Sequence, residues 1–167
     1  MKLNIQRPNM VFGLSLLFVF FTLSIGSALG KRAKRPPIKW PTEIAWQSFE
    51  TGQQQSAETG KPMMILIYAD WCTQCVALAK ALKNEQLIAL SKKFVMVLAN
   101  QDDESQGVFL YTPKLSYVPR MLFMKPDGEF WNEMTSQDTR YPYFYQASSL
   151  EQLMSNMRES IRVHGKK

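Results

Sequence analysis

The chain has 167 residues, with two cysteines, one histidine and a formal net charge of +6. Cysteine and histidine together fall one short of the four ligands that tetrahedral zinc takes, and the single histidine, His164, stands near the C-terminal end. The charge makes no case for nucleic acid: from Glu43 to Gly165 there are 14 acidic and 11 basic residues, a net of −3, and the excess lies in Lys2, Arg7, the five basic residues of 31–39 and Lys166-Lys167.

Residues 1–10 are polar and carry Lys2 and Arg7; Val11 to Leu23 is almost wholly apolar; small residues follow at Ser24, Gly26, Ser27, Ala28 and Gly30. This is the three-part layout of a secretory signal peptide, with cleavage expected after Ala28 or Gly30. An uncleaved signal anchor is the alternative, and the basic cluster from Lys31 to Lys39 resists translocation. The expected organisation is a signal peptide over 1–28, a basic Pro-containing linker over 29–41, one domain over 42–164 and a basic tail over 165–167. After cleavage no stable membrane insertion is expected.

Ile44-Ala45-Trp46 reads as a short first strand. Ser48 to Glu58 holds good helix formers, stopped by Gly60 and Pro62. Met63 to Tyr68 is a continuous apolar run, the pattern of a strand buried on both faces. Cys72 opens a helix expected to reach about Lys83, and Asn84 to Leu90 reads as a second helical piece. Phe94 to Ala99 is another buried strand, and Met121 to Met124 a third, followed by the turn Pro126-Asp127-Gly128 and a hairpin strand from Phe130 to Met134. Ser148 or Ser149 is expected to cap a last helix through Val163, with Leu150, Leu153, Met154, Met157 and Ile161 on one face. Alternating strands and helices, then a hairpin and a closing helix, predict an α/β fold whose mixed central sheet is flanked by helices. Seven of the ten methionines fall inside apolar elements and read as core filler rather than a copper site.

The chemistry concentrates at Trp71-Cys72-Thr73-Gln74-Cys75. Two cysteines spaced by two residues, where a buried strand turns into a helix, put both sulphurs on one face of the first helical turn. Free N–H groups and the positive end of the helix dipole stabilise a thiolate there, which suits a dithiol that exchanges disulfides. An inert disulfide closing a tiny loop and a pair of buried free thiols are the plainer alternatives. Haem attachment would require histidine where Val76 stands. No cofactor and no metal are implied. Asp102-Asp103-Glu104 reads as a solvated acidic loop rather than a calcium site.

The strand, then Ala69-Asp70-Trp71-Cys72-Thr73-Gln74-Cys75, then Tyr117-Val118-Pro119, resembles the thioredoxin superfamily. Gly60-Lys61-Pro62-Met63-Met64, Phe94-Val95-Met96-Val97, Tyr117 to Phe123 and Tyr141-Pro142-Tyr143-Phe144-Tyr145 are similar to the small endoplasmic-reticulum thioredoxin-domain proteins related to the anterior gradient proteins. The segment from Gly60 to Cys72 also resembles the C-terminal domain of a bacterial thiol:disulfide interchange protein, which would place the chain in a periplasm. The resemblance covers about residues 40–163.

It implies a thioredoxin-like fold and a thiol–disulfide oxidoreductase of the secretory pathway, in the reticulum lumen or secreted, acting on protein thiols and disulfides. It equally allows a non-catalytic chaperone or secreted signalling protein of the same fold, although this chain keeps both cysteines. The implied nucleophile is Cys72, with an exposed sulphur, and the resolving thiol is the more buried Cys75. Pro119 matches the superfamily's cis-proline, and Val118 would pair with an extended substrate segment. Trp71 would shield the pair and shape the docking surface, with plain core packing as the alternative. Arg120 is expected to hold a surface acid, with positive potential near the sulphurs as the alternative, and Asp70 to be a solvated turn acid, with a proton relay as the alternative. Three features depart from the pattern: Leu66 where thioredoxins carry a buried acid, Gln74 where disulfide isomerases carry histidine, and His164-Gly165-Lys166-Lys167 where the reticulum family often ends in a retention tetrapeptide. Without a histidine at Gln74 or an acid at Leu66 to assist the thiols, a potential between roughly −270 and −160 mV is expected.

Overall fold

The computed structural model describes residues 36–103 and 105–164. The expected signal peptide, most of the expected linker and the basic tail therefore lie outside the described residues, as does Glu104. In chain order the elements are β1 (Trp46–Gln47), α1 (Phe49–Thr59), β2 (Met63–Tyr68), α2 (Thr73–Ala81), α3 (Glu85–Ser91), β3 (Val95–Asn100), a 3-10 turn (Gly107–Leu110), β4 (Arg120–Met124) and α4 (Glu151–His164). The sheet order is β1-β3-β2-β4. β3 runs parallel to β1 and to β2, while β4 runs antiparallel to β2. The sheet is mixed, as the pattern predicts.

β2 lies between two strands, and Met63 to Ile67 are all buried. A continuous apolar run is what such a position requires, since neither face meets water. Alternate residues serve opposite layers. Met64 and Leu66 join Leu78 of α2, Leu82 at its C-terminal cap, Leu87 of α3 and Leu153, Met154 and Met157 of α4. Ile65 and Ile67 join Phe49 of α1 and Val108 of the 3-10 turn. Each fully buried side chain of this size contributes about 1.5–3 kcal/mol.

α1 starts where Ser48 Oγ accepts from the Thr51 N–H at 3.2 Å, and stops at Gly60, whose φ of 66° is the left-handed conformation that suits glycine. α3 starts in the same way at Asn84, whose Oδ1 accepts from the Leu87 N–H at 3.1 Å.

Three expectations change. The first strand begins at Trp46, not Ile44; Ile44 is buried before it. The hairpin strand from Phe130 to Met134 is reduced to one bridge, Met124 to Phe130. Beyond it the edge of β4 is taken by a different segment, since Met121 N–H donates to the Tyr143 carbonyl at 2.8 Å. The last helix starts at Glu151, past both serines, and Ser148 Oγ lies instead 3.5 Å from Gln146 Oε1.

Candidate active site

β2 ends at Tyr68, and Ala69-Asp70-Trp71 turns the chain into α2. The Cys72 N–H donates to the Ala69 carbonyl at 3.1 Å, which closes the turn. Cys72 is the N-cap of α2, and its Sγ accepts from the Cys75 N–H at 3.0 Å. Cys72 and Cys75 are joined as a disulfide, with Cα atoms 5.3 Å apart. On reduction, the same N–H and the positive end of the helix would face a Cys72 thiolate, which is the arrangement that lowers a thiol pKa. The pair is packed against Ala69, with Ile38, Trp40, Tyr68 and Val118 around it. Cys72 is 5% exposed and Cys75 0%. Cys72 is thus the more accessible sulphur, although the expected open exposure is a narrow opening.

The Val118 carbonyl oxygen lies 3.6 Å from Cys72 Sγ, and the Val118–Pro119 peptide is cis. In the disulfide this is a contact; a Cys72 thiol could donate to that oxygen. The loop is braced from behind, where Tyr117 Oη accepts from the Tyr143 N–H at 3.1 Å. Tyr117, Val118, Tyr141 and Phe144 line an apolar hollow of about 280 Å³ beside it. The fold therefore brings Cys72, Cys75, Val118 and Pro119 together. Trp71 stands on the surface next to them, 52% exposed, with its indole N–H donating to Asp102 Oδ2 at 2.8 Å. Core packing is not its role.

A thioredoxin-like family model matches residues 45–126. The chain is 28% identical over 158 residues to Anterior gradient protein 3 of Mus musculus, spanning 90% of this chain and 94% of that protein. It is 27% identical over 150 residues to the human Anterior gradient protein 2 homolog, spanning 85% and 84%. A thioredoxin from Thermus thermophilus superposes with a TM-score of 0.58 at 14% identity, covering 74% of this chain and 91% of that one. Residues 45–126 make up a thioredoxin-like domain. Along most of its length the sequence is similar to the anterior gradient proteins. Superfamily fold and cysteine pair together support a role of the disulfide-oxidoreductase type.

Against that superfamily frame the surroundings of the pair are unusual. Leu66 is fully buried among apolar side chains, so the position of the superfamily's acid offers no proton acceptor. The nearest acid in sequence, Asp70, is half-buried rather than solvated. Its Oδ2 accepts from Asn100 Nδ2 at 3.2 Å, and its Oδ1 is buried without a hydrogen-bond partner. Burial, reinforced by the Asp70 charge, pushes the neighbouring Tyr68 hydroxyl above its ordinary pKa. In the acidic loop, hydrogen bonds from Ser105 and Gln106 hold Asp103 below the usual carboxylate range.

Arg120 departs furthest from expectation. It holds no surface acid; it is 2% exposed, and its Nη1 and Nη2 donate to the Leu115 carbonyl and to Gln101 Oε1. Sequence reasoning also missed the bracing pair Tyr117 and Tyr143. A signal for Arg120 existed in the period of two, since Arg120, Leu122 and Met124 share one face of a strand.

Proposed function

We propose that the protein is a thiol–disulfide oxidoreductase of the secretory pathway, acting on protein substrates in the reticulum lumen or after secretion, with Cys72 as nucleophile and Cys75 as resolving thiol. The observation that carries this reading is Cys72 Sγ at the cap of α2, with the Cys75 N–H directed at it and the Val118 carbonyl beside it. In the reducing direction the Cys72 thiolate attacks one sulphur of a substrate disulfide. A Cys72–substrate bond forms, and the other substrate sulphur leaves as a thiolate that takes up a proton. Deprotonated Cys75 then attacks Cys72 Sγ, the Cys72–Cys75 bond forms, and the second substrate thiol is released. The oxidising direction is the reverse.

Val118 offers backbone groups to an extended substrate segment, a short strand addition that Pro119, lacking an N–H, cannot extend. The apolar hollow at Tyr117, Tyr141 and Phe144 would take a substrate side chain, and Trp71 would form part of the docking rim. Residues 1–28 serve as the signal peptide on this reading, leaving the basic linker at the new N-terminus. Trapping decides the roles: Cys75→Ser should accumulate mixed disulfides through Cys72, and Cys72→Ser should form none and lose exchange. The opposite pattern would reverse the roles, and an inactive wild-type pair would remove the oxidoreductase reading.

A further inference from the structure

Arg120 is the only charged side chain that the fold buries among the described residues. It lies on the face of β4 shared with Leu122 and Met124, under the segment that joins the 3-10 turn to β4. Its two hydrogen-bond partners, the Leu115 carbonyl and Gln101 Oε1, are both neutral. Its Nε is buried with no hydrogen-bond partner. The ion pairs among the described residues, Lys125 with Glu129 and Arg162 with Glu159, do not involve it. A buried cation without a counter-charge is an arrangement that folds avoid, because the desolvation of the charge is left uncompensated. Burial accordingly pushes the guanidinium pKa down, with only Tyr117 acting in the other direction.

A cavity of about 520 Å³ adjoins this guanidinium, and Arg120, Gln101, Phe109, Pro113, Lys114 and Leu115 are among its lining residues. Phe109, Pro113 and Leu115 make its walls largely apolar, and Lys114 is solvent-exposed. We propose that this cavity binds a carboxylate carried on an apolar body, with Arg120 as its counter-ion. The planar fork of a guanidinium matches a carboxylate, and an apolar wall suits the rest of such a ligand. A phosphate dianion has no apolar part for the walls that Phe109, Pro113 and Leu115 supply.

The carboxylate could belong to a small organic acid or to an acidic residue of a docked polypeptide. The second source has a structural argument: the cavity is lined by Ser116 and Arg120, which bracket the Tyr117-Val118-Pro119 loop at Cys72. In that case the site would select substrates with an acidic residue near the reacting cysteine, a refinement that rests on the oxidoreductase reading. The binding site itself does not.

The test is therefore a binding measurement on the oxidised protein, with no thiol exchange involved. Calorimetric titration would use 3-phenylpropionate, its neutral amide and inorganic phosphate, then two peptides in which serine replaces cysteine, one carrying glutamate beside phenylalanine and the other glutamine. The expected result is saturable binding of the acid, the glutamate peptide or both, with no binding of the neutral counterparts. Glutamate-peptide binding assigns the site to polypeptides, and binding of the acid alone assigns it to small acids. Arg120→Met should weaken binding about tenfold or more, the weight of a hydrogen bond to a charged group. The wild-type contrast of acid and amide stands even if that variant folds poorly. Equal binding of acid and amide, phosphate binding as tightly as the acid, or no saturable binding of any carboxylate would overturn the proposal.

Discussion

Two buried polar clusters lie on opposite faces of the sheet, and they are finished to different degrees. On the α4 side, Asn156 Nδ2 donates to the Thr135 carbonyl and to Tyr145 Oη, each at 2.8 Å, while its Oδ1 accepts from Gln152 Nε2 at 2.9 Å. Tyr145 Oη then donates to the Met134 carbonyl at 3.3 Å. On the α1 side, Arg120 meets two neutral acceptors, leaves Nε unpartnered and borders a cavity. A satisfied buried network rigidifies the fold around it, whereas a group left over carries a desolvation cost that only a further partner offsets. The Asn156 cluster ties the irregular segment from Trp131 to Leu150 to α4. The Arg120 cluster is built as though something else completes it.

The largest effect expected from this contrast is alkaline unfolding that starts on the Tyr145 side. Burial raises the Tyr145 hydroxyl above the ordinary value of 10.0, and raises Tyr68, Tyr117 and Tyr143 in the same direction. With folded values above unfolded ones, the unfolded chain gives up protons first. The stability these hydroxyls contribute is complete below pH 10 and falls as pH rises past it. Denaturant unfolding at pH 8 and at stepped values above pH 10 should show the decline, with a shallower slope in Tyr145→Phe. A parallel decline in that variant would mean that the Tyr145 network is not what the alkaline chain loses.

Next in size is Asn156→Leu, which removes the donor from the buried Tyr145 Oη as well as from the half-buried Thr135 carbonyl. An orphaned buried acceptor costs about 1–3 kcal/mol, and chemical denaturation would measure it. A cost within experimental error would show that water already serves both acceptors.

Much of what positions the site was legible in residues, because local pattern and tertiary demand agree there. The run from Met63 to Tyr68 needed both faces buried and has them. The cysteine spacing needed a strand-to-helix junction, and α2 begins one residue after Cys72. Ser48 and Gly60 bound α1 as their types suggest. The losses came where tertiary partners decide. Phe130 to Met134 has strand composition, but β4 offers its edge only briefly before Tyr143 occupies it, so the hairpin ends at one bridge. Asp70 has the local setting of a solvated turn acid, yet the fold places Asn100 against it. The charge of Arg120 suggests the surface, whereas its place in the alternation with Leu122 and Met124 points inward.

Gly52→Ala asks whether the cavity at Arg120 reflects a loosely packed α1 face. A Cβ at Gly52 would lie 2.5 Å from Val97 Cγ2 and 3.5 Å from Met63 Sδ, so the stiff valine would have to move. Overpacking costs typically 1–3 kcal/mol, and alanine returns up to about 1 kcal/mol of helix propensity. A net loss of about 1 kcal/mol is expected by chemical denaturation. A stabilised variant would indicate slack across the whole face, and the cavity would lose its particular meaning.

The smallest expected effect is the most informative about the comparison. Arg120→Met keeps an unbranched chain as far as the position of Nε and removes the guanidinium beyond it. The Leu115 carbonyl and the Gln101 amide lose a donor, but both residues are only half-buried and water can replace it. Against that loss, an uncompensated charge leaves the interior, and replacing buried charge by packed apolar atoms is often neutral or stabilising. The two contributions should nearly cancel, leaving a change within about 0.5 kcal/mol, the usual span of a substitution without a dominant mechanism. Asn156→Leu, which also exchanges a polar for an apolar side chain at a buried site, should cost clearly more when both are measured in the same denaturant series. If Arg120→Met proves the costlier of the two, then Arg120 is a structural tie between β4 and the loop at Leu115, as finished in its way as Asn156, and the two faces do not differ in kind.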